Sequence, residues 1–322
     1  MRAAVYYETG GPGVFRYEEV DDPGVPDDGV LIDVEAISIE GGDTLSRAGG
    51  QLRTVPHVVG YQCAGTVIGV GPGAGELAVG DRVVTVGMDG SHAERRAASR
   101  SFCWPIPEEL PTDVAACIPV AFGTAHDCLF EFGRLRAGET VLVQAGASGV
   151  GIAAVQMAHR AGARVLATAS SDTKLERLRG LGLDEGINYA RSDLISEVRR
   201  LTAGRGVDLV LESVGGAGLN AAVACLAYRG RCVSIGDAGR DGATSLDVGM
   251  LRPGNATLTG YYLGAELATG DRAHAMVADI ITQVAAGNLT VVVDRRFPLA
   301  EAADAHAYIE DRRAFGRVLL VP

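Results

Sequence analysis

The order of apolar and polar positions divides the chain into two kinds of segment. In the first 120 residues, short apolar runs are separated by glycine and proline, which is typical of β-strands joined by tight turns. The predicted strands in this part cover residues 2–7, 30–36, 63–70 and 82–86. Strand-like runs return at 291–297 and 318–321, and we expect this tail to rejoin the β-rich part.

The middle of the chain alternates buried strands with helices. A first strand starts at Val141, and further strands are predicted at 164–170, 186–189, 207–213, 231–236 and 256–263. Helical spacing of apolar residues follows at 149–161, 173–181 and 193–202. Six strands with intervening helices predict one doubly wound parallel domain.

A glycine turn joins the first of these strands to its helix. Gly146, Gly149 and Gly151 leave the backbone accessible, and Ser148 stands at the second glycine position of the G-x-G-x-x-G pattern. Backbone N–H groups and the positive end of the helix dipole favour a pyrophosphate at such a turn. The context of strand, turn and helix therefore predicts a bound dinucleotide.

The end of the next strand distinguishes the two nicotinamide dinucleotides. An NAD site usually has a carboxylate there, which would repel a 2′-phosphate. Here Ser170 and Ser171 end the strand, and Lys174, the only lysine of the chain, follows. Asp172 argues the other way, but at the start of a helix we interpret it as a partner of the helix dipole. We expect NADPH; the alternative is that Lys174 is an ordinary solvated helix residue.

Composition limits the function classes. The 322 residues are 47% hydrophobic and carry a net charge of −11, which argues against a nucleic-acid surface. Arginine pairs such as Arg95 and Arg96 are expected to be solvated. No apolar run reaches the length of a membrane span, and the chain starts as a strand without a signal peptide, so we expect a cytoplasmic protein that binds no membrane. The six cysteines lack metal-type spacing and are interpreted as reduced, mostly buried thiols.

Several motifs together carry a family resemblance. The glycine turn, with Gly80–Val84, Gly123–His126 and Gly316–Leu320, resembles the medium-chain dehydrogenase/reductase superfamily across essentially the whole chain, most of all its zinc-free NADPH:quinone oxidoreductase branch. The resemblance implies an α/β protein with a GroES-like β-rich catalytic domain at 1–122 and 266–322. It also implies a Rossmann NADP(H)-binding domain with a doubly wound parallel sheet at 123–265, and a homodimer.

The resemblance also bears on zinc. Zinc-dependent members have Gly-His-Glu before a strand of small residues, whereas this chain has Gly60, Tyr61 and Gln62, and neither of the last two replaces an imidazole ligand well. The stretch 86–98 contains no cysteine for a structural zinc lobe. We expect no metal.

Candidate residues around the reacting carbons come from the same comparison. Asp43 and Thr44 match the family segment Asn-x-x-Asp-Thr, with Glu40 in place of the asparagine that helps line the nicotinamide pocket. Tyr61 lies where the zinc histidine would be. It is the candidate catalytic residue, as a proton donor to the reduced acceptor, or else it packs beside the ring. His126 is the one histidine that we single out for testing.

The family pattern assigns the cofactor contacts by position. The pyrophosphate is expected at Ala147, Ser148, Gly149 and Val150, and the 2′-phosphate and adenosine between Ser170, Lys174 and Tyr189. Contacts at the carboxyl ends of the later strands are Ser213, Val214, Ser234 and Gly236. Thr124 is expected near the nicotinamide, and Arg312 either reaches the phosphate or is solvated.

Two classes of function remain open. The first is an NADPH-dependent reductase of quinones or carbonyl-conjugated alkenes, with an enoyl or alkenal reductase of one biosynthetic pathway as a variant. Enoyl reductases with a tyrosine donor after the Asp-Thr helix are disfavoured, because 45–54 contains none. The second class is an NADPH-binding protein with little turnover. The acceptor pocket is expected to depend on the loops at 49–56 and 237–251.

Overall fold

The chain divides into two units, each with its own strands and helices. The structure, a computed structural model, describes residues 1–240, 242 and 245–322. One unit combines Met1–Val120 with Gly264–Pro322, and the other is Ala121–Leu263. Residues 241, 243 and 244 of the predicted pocket loop 237–251 lie outside the described residues.

The chain begins with short strands and few helices. In chain order the elements are β1 (Arg2–Tyr6), β2 (Arg16–Glu19), β3 (Gly29–Ser38), α1 (Gly41–Gly49), β4 (His57–Val58), β5 (Gln62–Val70), β6 (Arg82–Val86), β7 (Arg95–Ser99), β8 (Cys103–Pro105), α2 (Thr112–Ala115) and α3 (Pro119–His126). A π-helical turn, Asp127–Glu131, continues α3.

The second unit is built around a six-stranded parallel sheet. Its elements are β9 (Thr140–Val143), α4 (Gly149–Arg160), β10 (Arg164–Ala169), α5 (Asp172–Arg179), β11 (Glu185–Asn188), α6 (Leu194–Leu201), β12 (Val207–Glu212), α7 (Gly216–Ala224), β13 (Leu226–Ser234) and β14 (Thr257–Gly260). The strand order is β11-β10-β9-β12-β13-β14, so the direction of winding reverses between β9 and β12. Leu142, Leu166 and Val210 are fully buried in its core. This is the predicted doubly wound sheet, and ligands of such sheets bind at the carboxyl ends of the strands beside the reversal.

The last elements return to the first unit. They are α8 (Leu263–Thr269), α9 (Asp271–Ala285), β15 (Val293–Pro298), α10 (Ala302–Glu310) and β16 (Arg317–Val321). β16 pairs antiparallel with β3, in a seven-stranded sheet of order β15-β16-β3-β5-β6-β8, where β7 also pairs with β3. A smaller sheet has the order β2-β1-β4. The predicted fold class is confirmed.

The sequence prediction missed some strands and shortened others. β13 starts at Leu226, before the predicted start at Arg231, and the short strands β2, β4, β7 and β8 were not predicted. All six cysteines are buried and unpaired, as predicted. Within the described residues, no helix is both long and apolar enough to cross a bilayer.

Candidate active site

The glycine turn after β9 is braced by the neighbouring strand. Thr168 of β10 accepts the Ala145 N–H at its Oγ1 (3.1 Å) and the Gly146 N–H at its carbonyl (2.8 Å). Ser148 then caps α4, its Oγ accepting the Gly151 N–H at 3.0 Å. A Cβ at Gly151 would lie 2.4 Å from the Ala145 carbonyl oxygen, so only glycine lets the helix start this close to the strand. The turn and the first turn of α4 therefore have the geometry of a phosphate cradle.

The four predicted pyrophosphate residues lie together in this turn. Ser148 is exposed and Val150 is half-buried, while Ala147 and Gly149 are buried. Any ligand at the turn therefore meets the Ser148 side chain and the backbone of its neighbours. That arrangement fits an anion bound by main-chain N–H groups.

The predicted 2′-phosphate residues follow β10 and β11. Ser170 directly follows β10, and Ser171 caps α5 by accepting the Lys174 N–H at 3.3 Å. Tyr189 follows β11, and 41% of it is exposed. The two strands are neighbours in the sheet, so these residues lie at one edge of it.

A buried carboxylate organises the ends of β12 and β13. Glu212 is fully buried, and its Oε1 accepts the N–H groups of Val214 and Gly215, each at 2.7 Å. Its Oε2 accepts the Ser234 hydroxyl at 2.9 Å. The side chain of Ser213, beside them, donates to the carbonyl of Gln144 at 3.4 Å. Glu212 thus fixes the two turns that were predicted to face the cofactor.

Sequence reasoning missed Glu212. The signal was present: a glutamate that ends a strand of Val and Leu residues has no apolar role there, and a buried carboxylate needs hydrogen-bond partners. Gly236, also predicted to contact the cofactor, follows the same edge and is half-buried.

Thr124 and His126 lie on α3, in the second unit. Thr124 is 8% exposed. His126 follows it, with 34% of its side chain exposed and its Nδ1 3.4 Å from Oδ1 of the fully buried Asp127. Asp127 Oδ2 accepts the Tyr261 hydroxyl at 3.0 Å. The helix that bears Thr124 is thus tied to the segment after β14.

Tyr61 is held on three sides. Its N–H donates to Asp43 Oδ1 at 3.0 Å, and its carbonyl accepts both the Gly87 N–H at 2.7 Å and Arg96 Nη1 at 2.9 Å. Its ring lies against Gly42 in the first turn of α1, where an added Cβ would be 2.3 Å from Tyr61 Cε2 and 2.6 Å from the phenol oxygen. The side chain itself stays half-buried, so a clamped backbone presents a partly accessible phenol.

Arg96 corrects the expectation that the Arg95 and Arg96 pair is solvated. Arg96 is only 4% exposed, and besides Tyr61 it bonds the carbonyl of Asp89 at 2.9 Å. Its charge lies 3.8 Å from the Cys63 Sγ. The prediction was wrong for Arg96 because two carbonyl groups replace the water that a surface arginine would bind.

Glu40 belongs to a buried ion pair. Arg317, at the start of β16, donates to both carboxylate oxygens of Glu40, with Nη1 to Oε2 at 3.0 Å. Its Nε donates to Ser38 Oγ at 3.0 Å. Gln62 donates from Nε2 to Glu40 and accepts the Val120 N–H at its Oε1 (3.0 Å). Val120, at the end of the first unit's N-terminal segment, is therefore tied to Glu40 after β3 through Gln62.

Two carboxylates meet in this part of the unit, and both are buried. Burial raises the pKa of Glu40, while the charge of Arg317 lowers it. Burial raises the pKa of Asp43 to about 8, although the N–H groups of Glu40 and Tyr61 hold its charged form. The Arg317 guanidinium supplies the only positive charge that bonds directly to Glu40 among the described contacts.

The same residues do not fit a catalytic zinc. Tyr61 and Gln62 stand where the resemblance placed the metal ligands, and both polar ends of Gln62 are occupied. The Glu40 carboxylate is neutralised by Arg317 and has no capacity left for a cation. No group of three or more His, Cys, Asp or Glu in the described ranges is placed to hold a metal ion.

Arg312 lies in the first unit, directly after α10. It is exposed, and its backbone is in the left-handed region with φ of 57°. The predicted phosphate site lies in the other unit, and a contact between Arg312 and the phosphate stays a prediction.

Known proteins resemble this chain over its full length. Residues 149–281 match the family described as zinc-binding dehydrogenase, and residues 26–108 match the alcohol dehydrogenase GroES-like domain. A 2-haloacrylate reductase of Burkholderia is 33% identical over 100% of this chain and 99% of its own length. A quinone oxidoreductase of Pseudomonas aeruginosa is 31% identical over 97% of both chains. The chain belongs to the medium-chain dehydrogenase/reductase superfamily.

Other members of the superfamily extend the comparison. A mycobacterial protein solved in complex with NADPH is 35% identical, with a TM-score of 0.95 and full coverage of both chains. Phthioceranic/hydroxyphthioceranic acid synthase of Mycobacterium tuberculosis is 33% identical over 90% of this chain, which spans 14% of that much longer protein. The predicted family and its quinone oxidoreductase-like branch are confirmed. The zinc-binding description of one matched family does not suit the residues at Tyr61 and Gln62.

Proposed function

We propose that this protein is a zinc-independent, NADPH-dependent reductase that transfers a hydride to a carbonyl-conjugated alkene or a quinone. The predicted enzyme class and cofactor are confirmed by relatives that are named reductases and by a similar protein solved with NADPH. The acceptor and the residue roles below are our proposal. We assign cofactor binding to the unit Ala121–Leu263 and acceptor chemistry to the other unit.

The proposal rests on the residues that stand where zinc-dependent members of the superfamily have their metal ligand. Tyr61 and Gln62 provide no site for a Lewis-acidic metal ion, and both polar ends of Gln62 are already hydrogen-bonded. An alcohol substrate would therefore lack its usual means of activation. A conjugated acceptor needs none, because its own carbonyl spreads the incoming charge. Two-electron reduction of such an acceptor requires only orientation and one proton.

Cofactor binding rests on the glycine turn and on the residues that support it. When bound, NADPH supplies the hydride. Ser148 and its neighbours would hold the pyrophosphate, and Lys174 with Ser170 and Tyr189 would bracket the 2′-phosphate and adenosine. Ser213, Val214, Ser234 and Gly236 would contact the nicotinamide half, with Thr124 near the ring. Glu212 positions two of these residues, Val214 and Ser234.

Tyr61 would complete the reaction. Hydride addition to the β-carbon of an enone moves an electron pair onto the carbonyl oxygen, and the phenol would donate the proton that neutralises it. The clamp by Asp43, Gly87 and Arg96 supports this role, because a proton donor has to be held in one position. The phenol would then be reprotonated from solvent.

The test compares acceptors and two matched pairs of variants. NADPH oxidation is followed with 1,4-benzoquinone, 9,10-phenanthrenequinone, a short alkenal and 2-chloroacrylate. Tyr61→Phe should lower kcat with the alkenal by about 100-fold, since general acid catalysis contributes on that order. Tyr228→Phe, a change at a 70% exposed tyrosine, should leave kcat unchanged. Full activity of Tyr61→Phe would assign the ring a packing role only.

Gly42 tests the same role through geometry. Gly42→Ala should push the Tyr61 ring away and lower kcat, with the KM for NADPH unchanged. Gly41→Ala is the control, because a Cβ there meets nothing within 4 Å. Tight NADPH binding without oxidation by any acceptor would favour the alternative of a binding protein with little turnover.

A second candidate is an enoyl reductase. The similarity to one region of phthioceranic/hydroxyphthioceranic acid synthase favours it. Turnover with an enoyl thioester such as crotonyl-CoA, at a rate above that with the free alkenal and the quinones, would identify this function.

Oligomeric state and location are further parts of the proposal. We propose a homodimer through β14, which is the edge strand of its parallel sheet, because an uncovered edge is prone to pair with another strand. Light scattering during gel filtration would measure the mass. The cytoplasmic location remains a prediction.

A further inference from the structure

The ends of β10 and β11 bring together residues that are distant in sequence. The two strands are parallel, with Ala169 opposite Asn188, and the Tyr189 N–H donates to the Ala169 carbonyl at 3.3 Å. The segment that follows β10 carries Asp172, and the segment that follows β11 carries Arg191. Both segments lie at the edge where the adenosine ribose of a dinucleotide binds in this fold.

Both oxygens of the Asp172 carboxylate are engaged by the other segment. Asn188 Nδ2 donates to Oδ1 at 2.7 Å, and Arg191 Nη1 donates to Oδ2 at 2.6 Å. Asn188 also shapes the turn, since its Oδ1 accepts the Ala190 N–H and its carbonyl accepts the Arg191 N–H, each at 3.1 Å. The position of the Arg191 backbone is thus set by the residue that holds Asp172.

This arrangement changes the role that is expected of the Asp172 carboxylate in cofactor selection. In an NAD site, an acidic residue near this strand end binds the ribose hydroxyls and repels a 2′-phosphate. Here the charge of Asp172 is compensated by Arg191. The carboxylate thereby keeps a cation at the site, and its Oδ1 is held by Asn188.

The ion pair between Asp172 and Arg191 can also be replaced by another partner of Arg191 at little cost in free energy. The side chains of Arg191 and Asp172 are 74% and 62% exposed, and exposed ion pairs are worth little. Arginine has five N–H donors in a planar fork that matches phosphate, and a phosphate monoester at neutral pH carries more charge than a carboxylate. A 2′-phosphate would therefore compete well for the Arg191 guanidinium.

We propose that Arg191 is a specificity-determining residue for NADPH and that Asp172 is its positioning residue. Asp172 holds the guanidinium at the strand edge until a 2′-phosphate accepts hydrogen bonds from it. The inference rests on the proposed NADPH function and adds to Lys174 a second cation from the neighbouring strand.

The experiment measures the Kd of NADPH and of NADH by the fluorescence of the reduced nicotinamide. Arg191→Ala should weaken NADPH by about 10-fold or more, as loss of a charge-assisted hydrogen bond does, and change NADH by less than about 2-fold. Arg191→Lys should fall between, because it keeps the charge without the fork. Arg200→Ala is the matched control: Arg200 is also exposed and paired, with Glu197 on α6.

Asp172→Ala separates the two roles of the carboxylate. If it only positions Arg191, NADH affinity stays within about 2-fold and NADPH remains the preferred cofactor. A loss of NADH affinity in Asp172→Ala, with Arg191→Ala neutral for NADPH, would overturn the inference and make Asp172 a ribose ligand. If the wild type prefers NADPH and Arg191→Ala keeps the same preference, the role of Arg191 is refuted but the proposed NADPH function is not. If the wild type shows no preference between NADPH and NADH, both the role of Arg191 and the proposed NADPH function are refuted.

Discussion

His92 and His306 face each other in the core of the first unit. Both are fully buried, and their Nε2 atoms are 3.0 Å apart. A hydrogen bond between two imidazole nitrogens needs one N–H and one lone pair, so at least one ring has to be neutral, and burial disfavours a charge on His92. The Phe15 ring packs on both, and the charge of Arg96 also disfavours a protonated His92 ring. Acid should therefore destabilise this unit.

The size of the effect follows from proton linkage. Burial, together with the charge of Arg96, lowers the pKa of His92 from 6.5 to about 3. The unfolded chain therefore binds a proton near pH 6.5 that the folded chain refuses until about pH 3. Stability from the neutral ring is complete above pH 6.5 and is lost as the pH falls. At pH 4.5, two pH units below the unfolded value, the loss is about 3 kcal/mol.

Urea unfolding between pH 4.5 and 7.5 tests this reasoning. Trp104, the only tryptophan, is buried in the same unit and reports its unfolding by fluorescence. His92→Gln should reduce the pH dependence of the unfolding free energy by about 1.4 kcal/mol per pH unit below pH 6, the value for one proton. His159→Gln, at an exposed position on α4, is the control. Identical slopes for the wild type and His92→Gln would refute the neutral state of the buried His92 ring.

Three further predictions concern the cofactor site and the buried ion pair. Lys174→Ala should weaken NADPH relative to NADH by about 1.5–3 kcal/mol in equilibrium titrations, and an unchanged preference would reject Lys174 as a phosphate ligand. Arg317→Met should lower the free energy of unfolding, measured in urea titrations, by about 3–5 kcal/mol, because Glu40 is left buried without its cation. The double variant Arg317→Met with Glu40→Gln should recover part of this loss. Equal losses in the single and the double variant would argue against the ion pair. Gly151→Ala should abolish NADPH binding while a separate thermal melt shows a folded protein, because its Cβ would displace the Ala145 carbonyl; normal affinity would contradict the proposed cradle.

The sequence predicted the second unit well because its signals are local. Apolar runs, a glycine turn and serine caps occur within a few residues of each other, and each specifies one strand end or helix start. Ser148 and Ser171 are such caps, and both accept the N–H three residues later. The alternation of strands and helices then predicts a parallel sheet.

The contacts that the sequence did not predict join distant residues. Asp172 and Arg191 meet only because β10 and β11 pair in one register, and Arg317 lies 277 positions from Glu40. The buried Arg96 looked like a surface residue because charge alone does not reveal which carbonyl groups are nearby. Sequence spacing has no information on these pairs, since they depend on the tertiary arrangement of strands.

The pairing of β16 with β3 has a consequence for the order of folding. The unit Ala121–Leu263 is continuous, so all its strands are synthesised before β15 and β16. The seven-stranded sheet and the pair between Glu40 and Arg317 need residues from both sides of that unit. During synthesis the dinucleotide-binding unit can fold first, while the sheet that contains β3 and β5 still lacks β15 and β16. A chain stalled far enough past residue 263 for β14 to have left the ribosome would therefore carry a folded dinucleotide-binding unit, while the first unit is still incomplete and open to proteases and chaperones.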